Sequence, residues 1–234
     1  MIVVIDGPAG AGKSSAARAL ARRLGFRFLD TGAMYRAVAL AAVRAGHDWN
    51  QPAELAALAQ RLKIELAGDR VLLDGEDVTR TIRTVEITGL THYAADNPGV
   101  RAHLVELQRA AAEGADVVAE GRDQGTVAFP HAECKFFVTA SPAERARRRM
   151  FDLHARGESL DFDTVLEAQN LRDERDRTRA VGPLVKAPDA LEILTDGLDA
   201  DEVVNRLEAI VRAKMGQSGK ANESGKRRAE SGSS

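Results

Sequence analysis

Residues 2–15 read Ile2-Val3-Val4-Ile5-Asp6-Gly7-Pro8-Ala9-Gly10-Ala11-Gly12-Lys13-Ser14-Ser15. An apolar run leads straight into a segment that fills every fixed position of the phosphate-loop pattern G-x-x-x-x-G-K-[ST]. The glycines let successive backbone N–H groups turn inward around phosphate oxygens, and the helix that follows adds the positive end of its dipole. The apolar spacing of Ala16, Ala17, Leu20, Ala21 and Leu24 supports that helix. Gly7 through Ser15 are therefore expected to cradle a nucleoside triphosphate. Lys13 would reach its terminal phosphates, and Ser14 would offer a hydroxyl to a hard cation such as Mg²⁺.

Four further apolar runs, residues 26–29, 116–119, 135–139 and 190–194, alternate with helix-period segments near 13–24, 33–45, 53–62, 98–113, 142–156, 162–179 and 200–215. This alternation predicts an α/β fold with a parallel sheet covered on both faces. Gly25 and Gly46 suit helix C-termini, and Pro98 and Pro142 suit first turns. Residues 63–83 break the pattern: Lys63 to Leu66, Arg70 to Leu73 and Val78 read as short antiparallel strands turned by Gly68-Asp69 and Asp74-Gly75. Beyond Met215 the chain lacks residues large enough to pack, and 216–234 is expected to be a disordered tail.

Composition narrows the class. The 234 residues carry a net charge of −2, which gives no bulk attraction to nucleic acid or to an anionic membrane. No aromatic stacking motif suggests a polymer ligand, and no apolar stretch is long enough to span a bilayer. One cysteine, Cys134, cannot form an intramolecular disulfide, and the run from Ile2 does not resemble a secretion signal, so a cytoplasmic protein is expected, monomeric by default. The five histidines show no zinc-ligand spacing.

A phosphate loop alone leaves hydrolases, switches and kinases open, so the other charged residues must decide. In open parallel sheets ligands bind beyond the carboxyl ends of the strands. Asp30-Thr31-Gly32-Ala33-Met34-Tyr35-Arg36 and Glu120-Gly121-Arg122-Asp123 both follow apolar runs and belong at such ends. Glu120 there can hold magnesium through water, and Arg122 offers a fork of donors for phosphate. On the 162–179 helix, Arg172, Arg175, Asp176 and Arg179 share one side. Arg145, Arg148 and Arg149 share one side of the helix before it. Two arginine faces flanking Gly157 suggest a lid that excludes water from the triphosphate.

In order along the chain, GPAGAGKSS, DTGAMYRAVAL, GEDVTRTIRT, EGRDQGTVAFP, TASPAERARRR and RDERDRTRAVGPL resemble the segments of bacterial cytidylate kinases over residues 1–215. The resemblance implies a P-loop nucleoside-monophosphate-kinase fold in one domain, with five parallel strands, a monophosphate-binding insert near 63–95 and a lid near 147–165. It implies transfer of a phosphoryl group from ATP with Mg²⁺ to CMP or dCMP. Lys13, Arg122 and Arg179 would be catalytic, and Arg148 would join the phosphate loop at ATP. Thr31, Arg36, Arg101, Arg122, Asp123, Arg172, Asp176 and Arg179 would bind CMP: Arg36 and Arg122 at its phosphate, Thr31, Arg101 and Asp123 around the base, Asp176 on the ribose hydroxyls. His92 departs from the family, standing where relatives often carry a serine that touches the sugar. Gln124 departs too, replacing an apolar residue.

Overall fold

The computed structural model describes residues 1–155 and 157–231, with side chains described through Gln217. In chain order the elements are β1 Ile2–Asp6, α1 Lys13–Leu24, β2 Arg27–Asp30, α2 Thr31–Arg44, α3 Pro52–Ala59, β3 Ile64–Ala67, β4 Arg70–Leu73, β5 Glu76–Asp77, α4 Val85–Ala95, α5 Pro98–Ala112, β6 Val117–Glu120, β7 Cys134–Thr139, α6 Pro142–His154, α7 Phe162–Thr178, β8 Leu191–Leu194 and α8 Ala200–Ser231.

Val3, Val4 and Ile5 are fully buried because β1 is the central strand of a five-stranded parallel sheet in the order β2-β6-β1-β7-β8. Each of the five apolar runs became one of these strands, with no boundary off by more than one residue. The register pairs Val4 with Ala119 on one side and Lys135 on the other, so Asp6, Asp30 and Glu120 emerge together at the carboxyl ends. The two edge strands depart from an apolar strand covered on both faces: Arg27 is exposed in β2, and Leu191 and Leu194 are exposed in β8. Gly7 has φ +146, and a Cβ there would lie 1.9 Å from the Val138 carbonyl oxygen. A glycine is required where the loop presses against the neighbouring strand.

The break in alternation is a three-stranded antiparallel sheet, β3-β4-β5. Asp74 (φ 51) and Gly75 (φ 86) both take left-handed backbone, the geometry of a tight hairpin turn whose twist matches its strands. Val78 lies just past β5 but still bonds the Val71 carbonyl at 2.9 Å. Val71, Leu73, Val78, Ile82 and Ile87 pack on the Ala33–Leu40 face of α2, anchoring the insert to the core.

Three features differ from the sequence expectation. Helix α4 is new: Val85, Ile87, Thr88, Gly89 and Thr91 are weak helix formers, and burial of Ile87 and Ala94 with a Thr84 cap on the Ile87 N–H overrides that propensity. Helix α8 continues to Ser231, into the stretch expected to be a disordered tail. Residues 232–234 of the expected tail lie outside the described residues. Finally, Arg145 does not join Arg148 and Arg149 on an open face. It is 2% exposed, ion-paired to the equally buried Asp173 at 2.6 Å and bonded to the carbonyls of Ala140 and Ala9. Periodicity placed it on the correct side of α6, but that side meets α7 and the phosphate loop.

Removing one partner of a buried pair strands the other charge. Asp173→Ala is expected to cost about 3–5 kcal/mol in denaturant unfolding. A loss below about 1 kcal/mol, typical of an exposed pair, would contradict the assignment.

Candidate active site

Two clefts open at the carboxyl ends of the sheet. One, of about 480 Å³, runs between the insert helix α4, the strand ends and α7. The other, of about 720 Å³, runs between the phosphate loop, α6 and α7. They meet at Ala9, Gly10, Lys13 and Ser14, with Arg149 and Arg172 also common to both. An anion in either cleft therefore faces an anion in the other across the phosphate loop.

At this junction the Lys13 ammonium donates to the Pro8 carbonyl at 2.7 Å and stands 3.7 Å from Glu120. Burial disfavours its charge, the Arg122 guanidinium repels it, and together they draw its pKa down to about 7. The Ser14 hydroxyl donates to Glu120 at 2.8 Å, so hydroxyl and carboxylate sit side by side as hard oxygen donors. Arg122 bonds Asp176 at 2.9 Å and lies 4.0 Å from Glu120. Burial works against the Asp176 carboxylate, yet Arg122, Arg172 and Arg179 outweigh it and hold its pKa below the usual range. Arg172 makes no ion pair among the described residues. Enclosure and the neighbouring Arg122, Arg36 and Arg149 pull it down to about 10, although its solvent-facing edge stays open.

Deeper in the first cleft, Asp123 is 3% exposed and receives Arg101 in a short ion pair, with Arg179 3.7 Å away. Asp123 thus pairs with arginines distant in sequence instead of with adjacent Arg122. Burial raises its pKa against the pull of these cations. Arg101 also lies over the Tyr35 ring, 5.6 Å from its centroid. Thr31 donates to the Glu120 carbonyl at 2.7 Å, and Arg36 pairs with Asp30 at 3.2 Å. All eight residues expected around the acceptor line this one cleft. Arg148 lies in the second cleft beside Gly12, its guanidinium committed to Glu144 at 3.0 Å and to Thr195 at 3.0 and 2.8 Å. His92 lines the first cleft, its Nδ1 paired with the Gly89 carbonyl at 2.8 Å.

Sequence reasoning missed several contributors. Arg149 and Arg175, which the sequence puts on the arginine faces but assigns to neither nucleotide, line the cleft. Tyr35 supports Arg101. Asp6, 4% exposed, accepts the N–H groups of Gln124 and Gly125 at 2.9 and 2.8 Å and holds the turn that carries Asp123; burial lifts its pKa to about 6. Its place at a strand's carboxyl end, next to Gly7, was the available signal. Gln124 is buried against Gly121, and nothing in the structure explains its polar side chain.

A parallel sheet, a phosphate loop after its central strand and paired clefts lined by arginine define a P-loop kinase. Comparison with known proteins specifies which. The cytidylate kinase family model matches residues 3–213. The cytidylate kinase of Rhodopirellula baltica is 48% identical over 91% of this chain and 93% of its own length. That of Pelotomaculum thermopropionicum is 50% identical over 90% and 96%, and that of Mycobacterium leprae 48% over 92% and 97%. The chain belongs to the cytidylate kinase family, whose members phosphorylate CMP and dCMP.

A lysine with its pKa near 7 is largely neutral at pH 8, and a bound triphosphate favours the ammonium form. Nucleotide binding at pH 8 is expected to take up most of a proton, and at pH 6 almost none. Calorimetry in buffers of different ionisation enthalpy checks this, and uptake independent of pH would contradict it.

Proposed function

We propose that the chain transfers the γ-phosphoryl group of ATP to CMP or dCMP, that the phosphate-loop cleft with Arg148 takes ATP, and that the α4–α7 cleft takes the monophosphate. The observation that supports the base assignment most directly is the buried group Arg101–Asp123–Arg179. The pairing edge of cytosine shows an amine donor beside ring-nitrogen and carbonyl acceptors. A carboxylate accepts from the amine, and a guanidinium donates to both acceptors. Uracil inverts two of these groups and would leave buried partners unpaired, which disfavours it. Thr31, whose hydroxyl retains accepting capacity, borders the same position.

Asp176, bonded to Arg122, would accept from ribose hydroxyls, and His92 on α4 lines the same cleft. Arg36 and Arg122 take the acceptor phosphate. That phosphate is a monoester, largely dianionic at neutral pH because its second pKa is about 6, so no base need remove a proton. An acceptor oxygen attacks the γ-phosphorus, the bond to the bridging oxygen breaks and ADP leaves. The protein's work is to hold two anions in line and offset their repulsion, with Lys13, Arg122 and Arg179 around the transferring group. Ser14, and Glu120 through water, would hold a magnesium ion that arrives with ATP and neutralises charge on its phosphates. Closing the insert and the lid over residues 147–165 would exclude water as a competing acceptor. This reading includes a monomer in the cytoplasm, acting on free nucleotides and on no polymer or membrane. No helix among the described residues is long and apolar enough to cross a membrane.

Coupled ADP release with CMP, dCMP, UMP, AMP and GMP tests the reading, with CMP and dCMP expected to dominate. Equal use of UMP or a purine monophosphate would overturn it. In the same assay Asp123→Asn should lower the CMP-to-UMP ratio of kcat/KM by about tenfold, because an amide can donate to the uracil carbonyl. An unchanged ratio would reduce Asp123 to a partner that holds Arg101.

A further inference from the structure

Asp30 closes β2 and is 6% exposed. Its Oδ1 caps α2 by accepting the Ala33 N–H at 2.8 Å. The same carboxylate accepts one terminal nitrogen of Arg36, 3.2 Å from both oxygens, and one terminal nitrogen of Arg83, 3.1 Å from Oδ2. Arg83 belongs to the insert, in the short 3-10 turn Thr81–Arg83, where its Nε is tied to the Thr79 carbonyl at 3.3 Å. A single buried carboxylate therefore joins a core arginine to an insert arginine.

Arg36 is clamped on one side only. One terminal nitrogen is held by Asp30, while its Nε is buried without a hydrogen-bond partner. A buried guanidinium donor left unpaired is unfavourable until an anion completes it, and a fork held at one prong is aimed by whatever holds it. The insert is tethered a second time nearby. Asp69, at the tip of the β3–β4 hairpin, makes a short ion pair with Arg18 on α1 and a second one with Arg22 at 3.1 Å, and Arg18 lies 4.7 Å from the centroid of Phe28 on β2. Asp69 thus ties the insert to α1, and Arg83 ties it to Asp30.

We propose that Asp30 is a positioning residue that aims Arg36 at the acceptor phosphate, and that Arg83 makes this aim depend on the place of the insert. The proposal rests on the reading of Arg36 as an acceptor-phosphate residue. Asp30 touches no substrate; it acts by fixing the rotamer and tilt of the Arg36 guanidinium. Asp30→Asn isolates this effect, because an amide oxygen can still cap α2 while the negative charge that gathers two arginines is lost.

The test measures CMP and cytidine binding by calorimetry and KM for CMP and ATP by coupled assay, for Asp30→Asn, Arg83→Met, their double variant and Arg36→Met. Asp30→Asn should weaken CMP by about tenfold and leave cytidine, which has no phosphate, and the KM for ATP unchanged. Arg83→Met should show the same pattern at smaller size, and the double variant should be no worse than Asp30→Asn alone, because both act through one contact. Equal losses for CMP and cytidine, or a parallel rise in KM for ATP, would mean that Asp30 merely stabilises the fold and would overturn the proposal. Additive effects of the two substitutions would overturn the part assigned to Arg83. Should Asp30→Asn fail to fold, Arg83→Met, which leaves the cap intact, decides alone: it must still weaken CMP and spare cytidine. If Arg36→Met leaves CMP binding intact, the reading of Arg36 has failed; if Arg36→Met weakens CMP and Asp30→Asn does not, the proposal alone has failed.

Discussion

Uncompensated positive charge governs this site. Among the described residues, eight cationic side chains line the α4–α7 cleft against four carboxylates. Burial disfavours the charged forms and like charges brought this close repel, so Lys13 and Arg172 both hold their protons less tightly than usual. The fold sustains the crowd because four of the arginines are anchored: Arg36 on Asp30, Arg101 on Asp123, Arg122 on Asp176, Arg179 on the Gly182 carbonyl. The remaining excess matches what two phosphate groups would supply. In a partly desolvated cleft such preorganised charge acts more strongly than in water, and it needs no reorganisation when the phosphoryl group moves.

The sheet makes this arrangement possible. Parallel strands deliver Asp6, Asp30 and Glu120 to one edge in register, and the phosphate loop turns directly out of the most buried strand. The insert is fixed through α2, and α6 and α7 are fixed to each other through the Arg145–Asp173 pair, so both sides of the clefts connect to the same core. The two clefts share the phosphate loop because one strand end serves both.

Much of this was legible in the sequence because the signals are local. The phosphate loop is contiguous, the five core strands are apolar runs, and Asp74-Gly75 specifies its own turn. What stayed hidden depends on partners far along the chain. Asp123 pairs with Arg101, 22 residues away, and not with its neighbour Arg122. Arg145 has the periodicity of an exposed face, and only the docking of α6 on α7 shows that it is buried. Helix α4 was missed because its residues favour other conformations when considered alone, and packing on α2 reverses that preference. Asp30 read as a strand end, since nothing local reveals that two arginines from different elements converge on it.

The two clefts meet at Lys13 and Ser14, so anions bound in both would face each other there. A compound joining adenosine to cytidine through a polyphosphate bridge spans both only if that geometry holds. Inhibition kinetics with this compound test it most directly. The account predicts competition against both ATP and CMP, with affinity above that of either nucleotide alone. Competition against only one of them, with the other substrate still able to bind, would contradict it.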